Sequence, residues 1–188
     1  MRLGVVAQKY RFSVSDYYKL VEVGILSEDD RVELINGEII EMTPVGAKHA
    51  SCINKLAFLF NLKLQGKALV SVQNPLHIDE YNEPQPDIML LRYKENFYSD
   101  RHPVPQDVFL LIEVAESSID YDRKVKLPLY VKAGISEVWI INLNENCIEI
   151  YRDPSKDEYQ TQIKLKGEQR FSPISFPKVT LSVTEIIT

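Results

Sequence analysis

The spacing of apolar and polar residues changes period several times along this chain, and each change marks an element. Ser13-Val14-Ser15-Asp16 opens a helix, with Ser13 or Ser15 as N-cap and Tyr17, Leu20 and Val21 at helical spacing; Gly24 ends it. From Arg31 to Met42 the residues alternate around Asn36-Gly37, a strong short hairpin signal, which predicts strands near 31–35 and 38–42. Past Pro44 and Gly46 the period is helical again. Over 47–65, Ile53, Leu56, Ala57, Phe60 and Leu64 share one face, with Lys48, Lys55 and Lys63 interleaved.

The next block is extended. Strands are predicted at 68–73 and 76–79, joined at Pro75, then a polar loop over 80–85 and a strand at 87–92. Residues 93–106, rich in charge, Tyr and Pro, read as a loop. The run 108–115 is apolar without alternation, as in a strand buried on both faces. A helix over 119–133 stops at Gly134 and is followed by a buried strand at 137–143. Strands at 147–152 and 159–165 complete a meander, residues from Phe171 to Leu181 finish the core, and 183–187 form a last helical turn. The unit 108–143 is a βαβ crossover, so its strands should be parallel and its connection right-handed. The fold class is therefore mixed α/β: a mixed central sheet flanked by helices, preceded by an N-terminal helix and β-hairpin. We expect a single domain over 1–188, with 1–11 as an extended segment before the folded part at 12–188.

Composition narrows the functional classes. With 188 residues, 45% hydrophobic and 26% charged, the chain can build a full core. It has neither a membrane-length apolar run nor a signal-type N-terminus, and Cys52 and Cys147 lack metal-ligand spacing, so two buried thiols in a reduced cytoplasm are expected. A net charge of −5 argues against nonspecific coating of nucleic acid, but a local basic stripe can still guide a phosphate backbone. Seven glycines and no phosphate-cradling loop, His-Glu-x-x-His or nucleophile elbow make kinase, dehydrogenase and serine-hydrolase readings poor, and no organic cofactor is expected.

Two acids stand out. Asp87 follows Pro86 at the start of one apolar strand, and Glu113 sits near the end of another. Carboxylates in apolar surroundings are costly unless compensated, and a divalent cation between them would compensate them. Mg²⁺ prefers oxygen ligands and bridges readily to phosphate, which makes phosphodiester hydrolysis the candidate chemistry. Lys126 on the crossover helix shares a face with Asp122 and Tyr130; Glu33 lies on the hairpin and His49 on the first turn of the following helix. Each has a plainer explanation. Asp87 would cap a turn, Glu113 would sit in a salt bridge, and Glu33 would pair with Arg31 or a lysine. His49 would be an ordinary helix-terminal histidine and Lys126 a surface lysine paired with Asp122.

Pro86-Asp87 followed by Glu113-Val114-Ala115 resembles the PD-(D/E)XK nuclease pattern. More specifically, the chain resembles the bacterial family of putative restriction endonucleases. The resemblance rests on Glu33-Leu34-Ile35-Asn36-Gly37-Glu38, His49, Pro84-Gln85-Pro86-Asp87, Ile112-Glu113-Val114, Lys126-Leu127-Pro128-Leu129-Tyr130 and the stretch from Ala133 to Ile141. It implies a restriction-endonuclease-like core and a DNA endonuclease dependent on Mg²⁺ or Mn²⁺. On it, Asp87, Glu113 and Glu33 are metal ligands, Lys126 is the catalytic lysine, and His49 is an accessory group facing the phosphate. The position two after the glutamate, where many superfamily members carry lysine, is Ala115 here, so the lysine must come from the helix. Lys124 and Lys126 lie about 200° apart on an α-helix, so only one can face the site. Lys126 shares its face with Leu129, Tyr130 and Ala133 and is the choice, although Pro128 threatens the geometry of that turn. Cutting two strands suits a homodimer acting on DNA. The alternative is a nuclease fold with a decayed site, serving in DNA binding or protein assembly. Carboxylate repulsion at the site would leave the Asp87→Ala and Glu113→Ala proteins as stable as the parent, or more so.

Overall fold

The computed structural model describes residues 8–27 and 29–187; most of the predicted N-terminal extended segment, residues 1–7, lies outside them. The chain forms two compact units, one of residues 1–43 and 77–84, the other of residues 44–76 and 85–188.

In the first unit, helix α1 spans Val14–Glu22 and starts in a capping box: the Ser13 hydroxyl accepts from the Asp16 N–H while the Asp16 carboxylate accepts from the Ser13 N–H. Strands β1 (Val32–Ile35) and β2 (Glu38–Glu41) pair antiparallel around Asn36 (φ +53°) and Gly37 (φ +75°). Positive φ at both central positions is what a type I′ turn requires, and Asn-Gly supplies it with least strain. The expected strand over 76–79 does not form. Asp79 makes a single bridge to Asn82, because a local turn takes the hydrogen bonds that a strand would need.

The second unit is a six-stranded mixed sheet in the order β3 (Leu69–Val72), β4 (Ile88–Leu91), β5 (Val108–Ala115), β6 (Glu137–Asn142), β7 (Cys147–Ser155) and β8 (Glu158–Lys166). β5 and β6 run parallel, as the crossover demands, and every other neighbouring pair is antiparallel. Helix α2 (Ala47–Leu64) buries Ile53, Leu56, Phe60 and Leu64 against Leu110, Ile112, Val114, Trp139 and Ile141. Alternate residues of β5, Leu111 and Glu113, face the other way, where the crossover helix lies. A short pair, β9 (Arg170–Phe171) with β10 (Leu181–Ser182), and helix α5 (Val183–Ile186) close the core, with Phe171 edge-on to Trp139. Among the described residues no helix is long and apolar enough to cross a membrane.

The hairpin gives a direct test. A Cβ at Gly37 would meet the Arg11 Cβ at 2.7 Å in a backbone conformation that L-residues avoid. Gly37→Ala should cost more than about 1 kcal/mol in denaturant unfolding, and an unchanged midpoint would contradict the turn assignment.

Candidate active site

Asp87 ends the loop that feeds β4, one residue before the strand begins. The register that sets Ile88 beside Ile112 brings Asp87 level with Glu113 on β5. Its carboxylate is held from three directions. Oδ2 accepts the Val114 N–H at 2.8 Å and lies 3.1 Å from His49 Nε2, while Oδ1 accepts the Gln73 side-chain amide at 3.1 Å. Gln73 also donates its backbone N–H to the Asp87 carbonyl, at 3.0 Å, from a left-handed conformation (φ +49°). A non-glycine residue pays for that conformation, and two bonds to one aspartate are what hold it there.

Glu113 is 3% exposed. Its Oε1 accepts the Tyr130 hydroxyl at 2.5 Å and faces Lys126 Nζ at 3.3 Å. Lys126 is itself 6% exposed, so a buried anion and a buried cation compensate each other, as desolvation requires.

The crossover helix delivers Lys126 by an irregular route. It begins as α3 (Ile119–Tyr121), widens to a π-turn over Asp122–Lys126, and continues as α4 (Leu127–Lys132). The Leu127 N–H reaches back five residues to the Asp122 carbonyl. Pro128 explains the widening: it has no N–H for the Lys124 carbonyl, and its ring would strike that carbonyl in a regular α-helix. The wide turn sets two cations against the sheet. Arg123 grips Glu149, with Nε 3.0 Å from Oε2 and a second contact to Oε1, and Lys126 meets Glu113. Glu113 pairs with Ile140 and Ile140 with Glu149, so the two anions lie on one face across three strands. Lys124 points away, exposed and paired with Asp120 at 3.3 Å.

Electrostatics follow from these contacts. Burial alone would raise the Glu149 carboxyl, but the Arg123 and Tyr151 donors outweigh it and hold it below its ordinary value. The Cys52 thiol, on α2, is pushed up to about 12, first by burial and then by the Asp87 charge. It is an inert thiol at neutral pH.

The structure thus gathers Asp87, Glu113, Lys126 and His49. Glu33 belongs to the first unit, buried on β1 opposite Ile40. Tyr130 stands on the face predicted for it, and its hydroxyl proves to be a donor to Glu113. The pattern gave no sign of Gln73, whose role depends on strand pairing, or of the Arg123–Glu149 pair. Among the described residues no three His, Cys, Asp or Glu side chains gather into a metal cage. Asp87 and Glu113 supply two hard oxygen donors, a set that suits an ion retaining most of its waters, such as Mg²⁺.

A family model described as "Putative restriction endonuclease" (Uma2) matches residues 14–184. The chain belongs to that family. The matched span contains all five residues singled out from sequence and the whole six-stranded sheet. Among solved structures, a putative nuclease of the DUF820 group from Anabaena variabilis superposes with a TM-score of 0.75 over 93% of this chain and 97% of that one, at 18% identity. That likeness shows the fold, a nuclease-like mixed α/β architecture. No curated protein matches the chain.

Two outcomes test the site's energetics. The ion pair reverses the stability expected from carboxylate repulsion: Glu113→Ala takes a buried carboxylate from Lys126 and Tyr130. It should destabilise by about 3 kcal/mol in urea unfolding, part of which Lys126→Met restores in the double variant. Parental stability of Glu113→Ala would mean that repulsion dominates. Glu149, with its pKa depressed on folding, contributes stability that is present above the ordinary carboxyl pKa of 4.5 and is lost as pH falls through the folded value. Glu149→Gln should therefore flatten the acid limb of stability against pH, and an unchanged limb would count against the Arg123–Glu149 pair.

Proposed function

We propose that this chain is an endonuclease that hydrolyses phosphodiester bonds in DNA with Mg²⁺ or Mn²⁺. The observation that supports this most is the Lys126 ammonium held on Glu113 beside Asp87, two carboxylates level on neighbouring strands with a lysine from the helix that covers them. Family membership supports the reaction class. The carboxylates of Asp87 and Glu113 would hold the ion, and Glu33 is assigned to the same role through the family resemblance. When bound, the ion supplies Lewis-acid activation of a phosphoryl oxygen and of water.

The remaining work falls to the chain. Hydrolysis joins a water oxygen to phosphorus and breaks a bridging P–O bond. Negative charge accumulates on the phosphoryl oxygens as this happens. Lys126, positioned by Glu113 and backed by Tyr130, orients the attacking water and stabilises that charge. His49, on Asp87, fixes the carboxylate's rotamer and offers a polar edge to the phosphate. The protein dipoles are arranged before substrate arrives, so little reorganisation is needed during reaction. A cytoplasmic location and a twofold dimer accompany this reading.

Purified protein should cleave plasmid DNA with Mg²⁺ or Mn²⁺ and stop with EDTA. Asp87→Asn, Glu113→Gln and Lys126→Met should each lower the rate by about 100-fold or more, while Lys124→Met stays near the parental rate. Glu33→Gln belongs in the same series. If no cleavage occurs and millimolar Mn²⁺ leaves the melting temperature unchanged, the nuclease reading fails in favour of a non-catalytic module.

A further inference from the structure

Helix α2 presents a second polar face next to the one that carries His49. Lys48, Ser51 and Lys55, spaced three and four residues apart, line one wall of an open groove of about 280 Å³. Leu143, Asn146 and Ile187 also line it, and among the described residues that line the groove none is acidic. In a chain with 27 acidic against 22 basic side chains, a concavity whose described lining carries two lysines runs against the net charge. The groove also adjoins the candidate active site: Cys52, on its wall, lies one turn of α2 from His49, which contacts Asp87 directly. Glu116 stands by Gly46 at the N-terminal end of the helix. An anion is thereby favoured along the lysine face and not at the helix terminus.

We propose that this groove holds the sugar-phosphate backbone of the DNA strand flanking the scissile phosphate. Lys48 and Lys55 take phosphates, Ser51 and Asn146 donate to their oxygens, and Leu143 and Ile187 face the deoxyribose. Seven helical residues separate the lysines by about 10.5 Å along the axis, far enough for the two ammonium groups to reach different phosphates of one strand. The contact carries no base information, so it sets register and affinity and leaves sequence preference to other parts of the protein.

The assignment rests on the nuclease reading of the adjoining site, and the test separates the two. A labelled 20-base-pair duplex is titrated by fluorescence anisotropy without divalent metal, from 50 to 200 mM KCl. Two phosphate contacts contribute about 1.8 to the slope of log K against log salt. Lys48→Gln/Lys55→Gln should lose that amount, and Lys48→Gln alone about half of it, which covers the case in which the double variant folds poorly. Lys124→Gln/Lys132→Gln should keep the parental slope. Parental slopes in the groove variants overturn the groove and leave the cleavage result standing. A parent that binds no duplex at any salt overturns the groove, and plasmid cleavage then decides separately whether the nuclease reading falls too.

Discussion

A carboxylate buried in the middle of a sheet is the constraint around which this molecule is arranged. Glu113 lies on β5, a strand covered on both faces, and water cannot satisfy its charge there. An uncompensated anion in such a place costs several kcal/mol. The compensation comes from the helix that covers it, through the Lys126 ammonium and the Tyr130 hydroxyl. The crossover helix must therefore sit in one rotation and one translation over the sheet.

The rest of the unit serves that placement. The parallel pairing of β5 and β6 forces a crossover, and the crossover must pass over the face on which Glu113 points. Pro128 would disrupt a regular helix at this point, and the π-turn absorbs the disruption while turning Arg123 and Lys126 to the same side. The Arg123–Glu149 pair then fixes the helix two strands further along the sheet. On the other side of Glu113, the antiparallel β4 brings Asp87 level, where the Val114 N–H, Gln73 and His49 hold its carboxylate. Asp87 is thus oriented by groups from three parts of the unit and Glu113 by two groups of the crossover helix, the kind of preorganisation that the proposed hydrolysis requires.

Much of this was legible in the sequence because the periodicities are strong. The unalternating run 108–115, the stop at Gly134 and the Asn36-Gly37 turn each report a backbone requirement that few residues meet. The choice of Lys126 over Lys124 as the inward-facing lysine came from the helical face it shares with Leu129, Tyr130 and Ala133, together with the family resemblance, and the structure agrees, with Lys126 buried and Lys124 exposed. The segment 76–79 misled because apolar residues there resemble a strand, while the Asp79 side chain offers the backbone a turn. Gln73 and the Arg123–Glu149 pair were illegible for another reason. Their partners are brought near only by strand order and by a helix irregularity, and no local pattern encodes either. The Lys126 ion pair argues against the stability expected of Glu113→Ala, since two acids read along a chain look repulsive until the cation between helix and sheet is seen.

The functional reading turns on the proposed divalent-cation site of Asp87 and Glu113, next to Lys126. A crystal of the protein grown with Mn²⁺ and measured at the manganese absorption edge tests it directly. The account predicts an anomalous peak in bonding contact with carboxylate oxygens of both Asp87 and Glu113, with Lys126 Nζ still on Glu113. A manganese-containing crystal with no peak there, or with Lys126 turned away from Glu113, would contradict it.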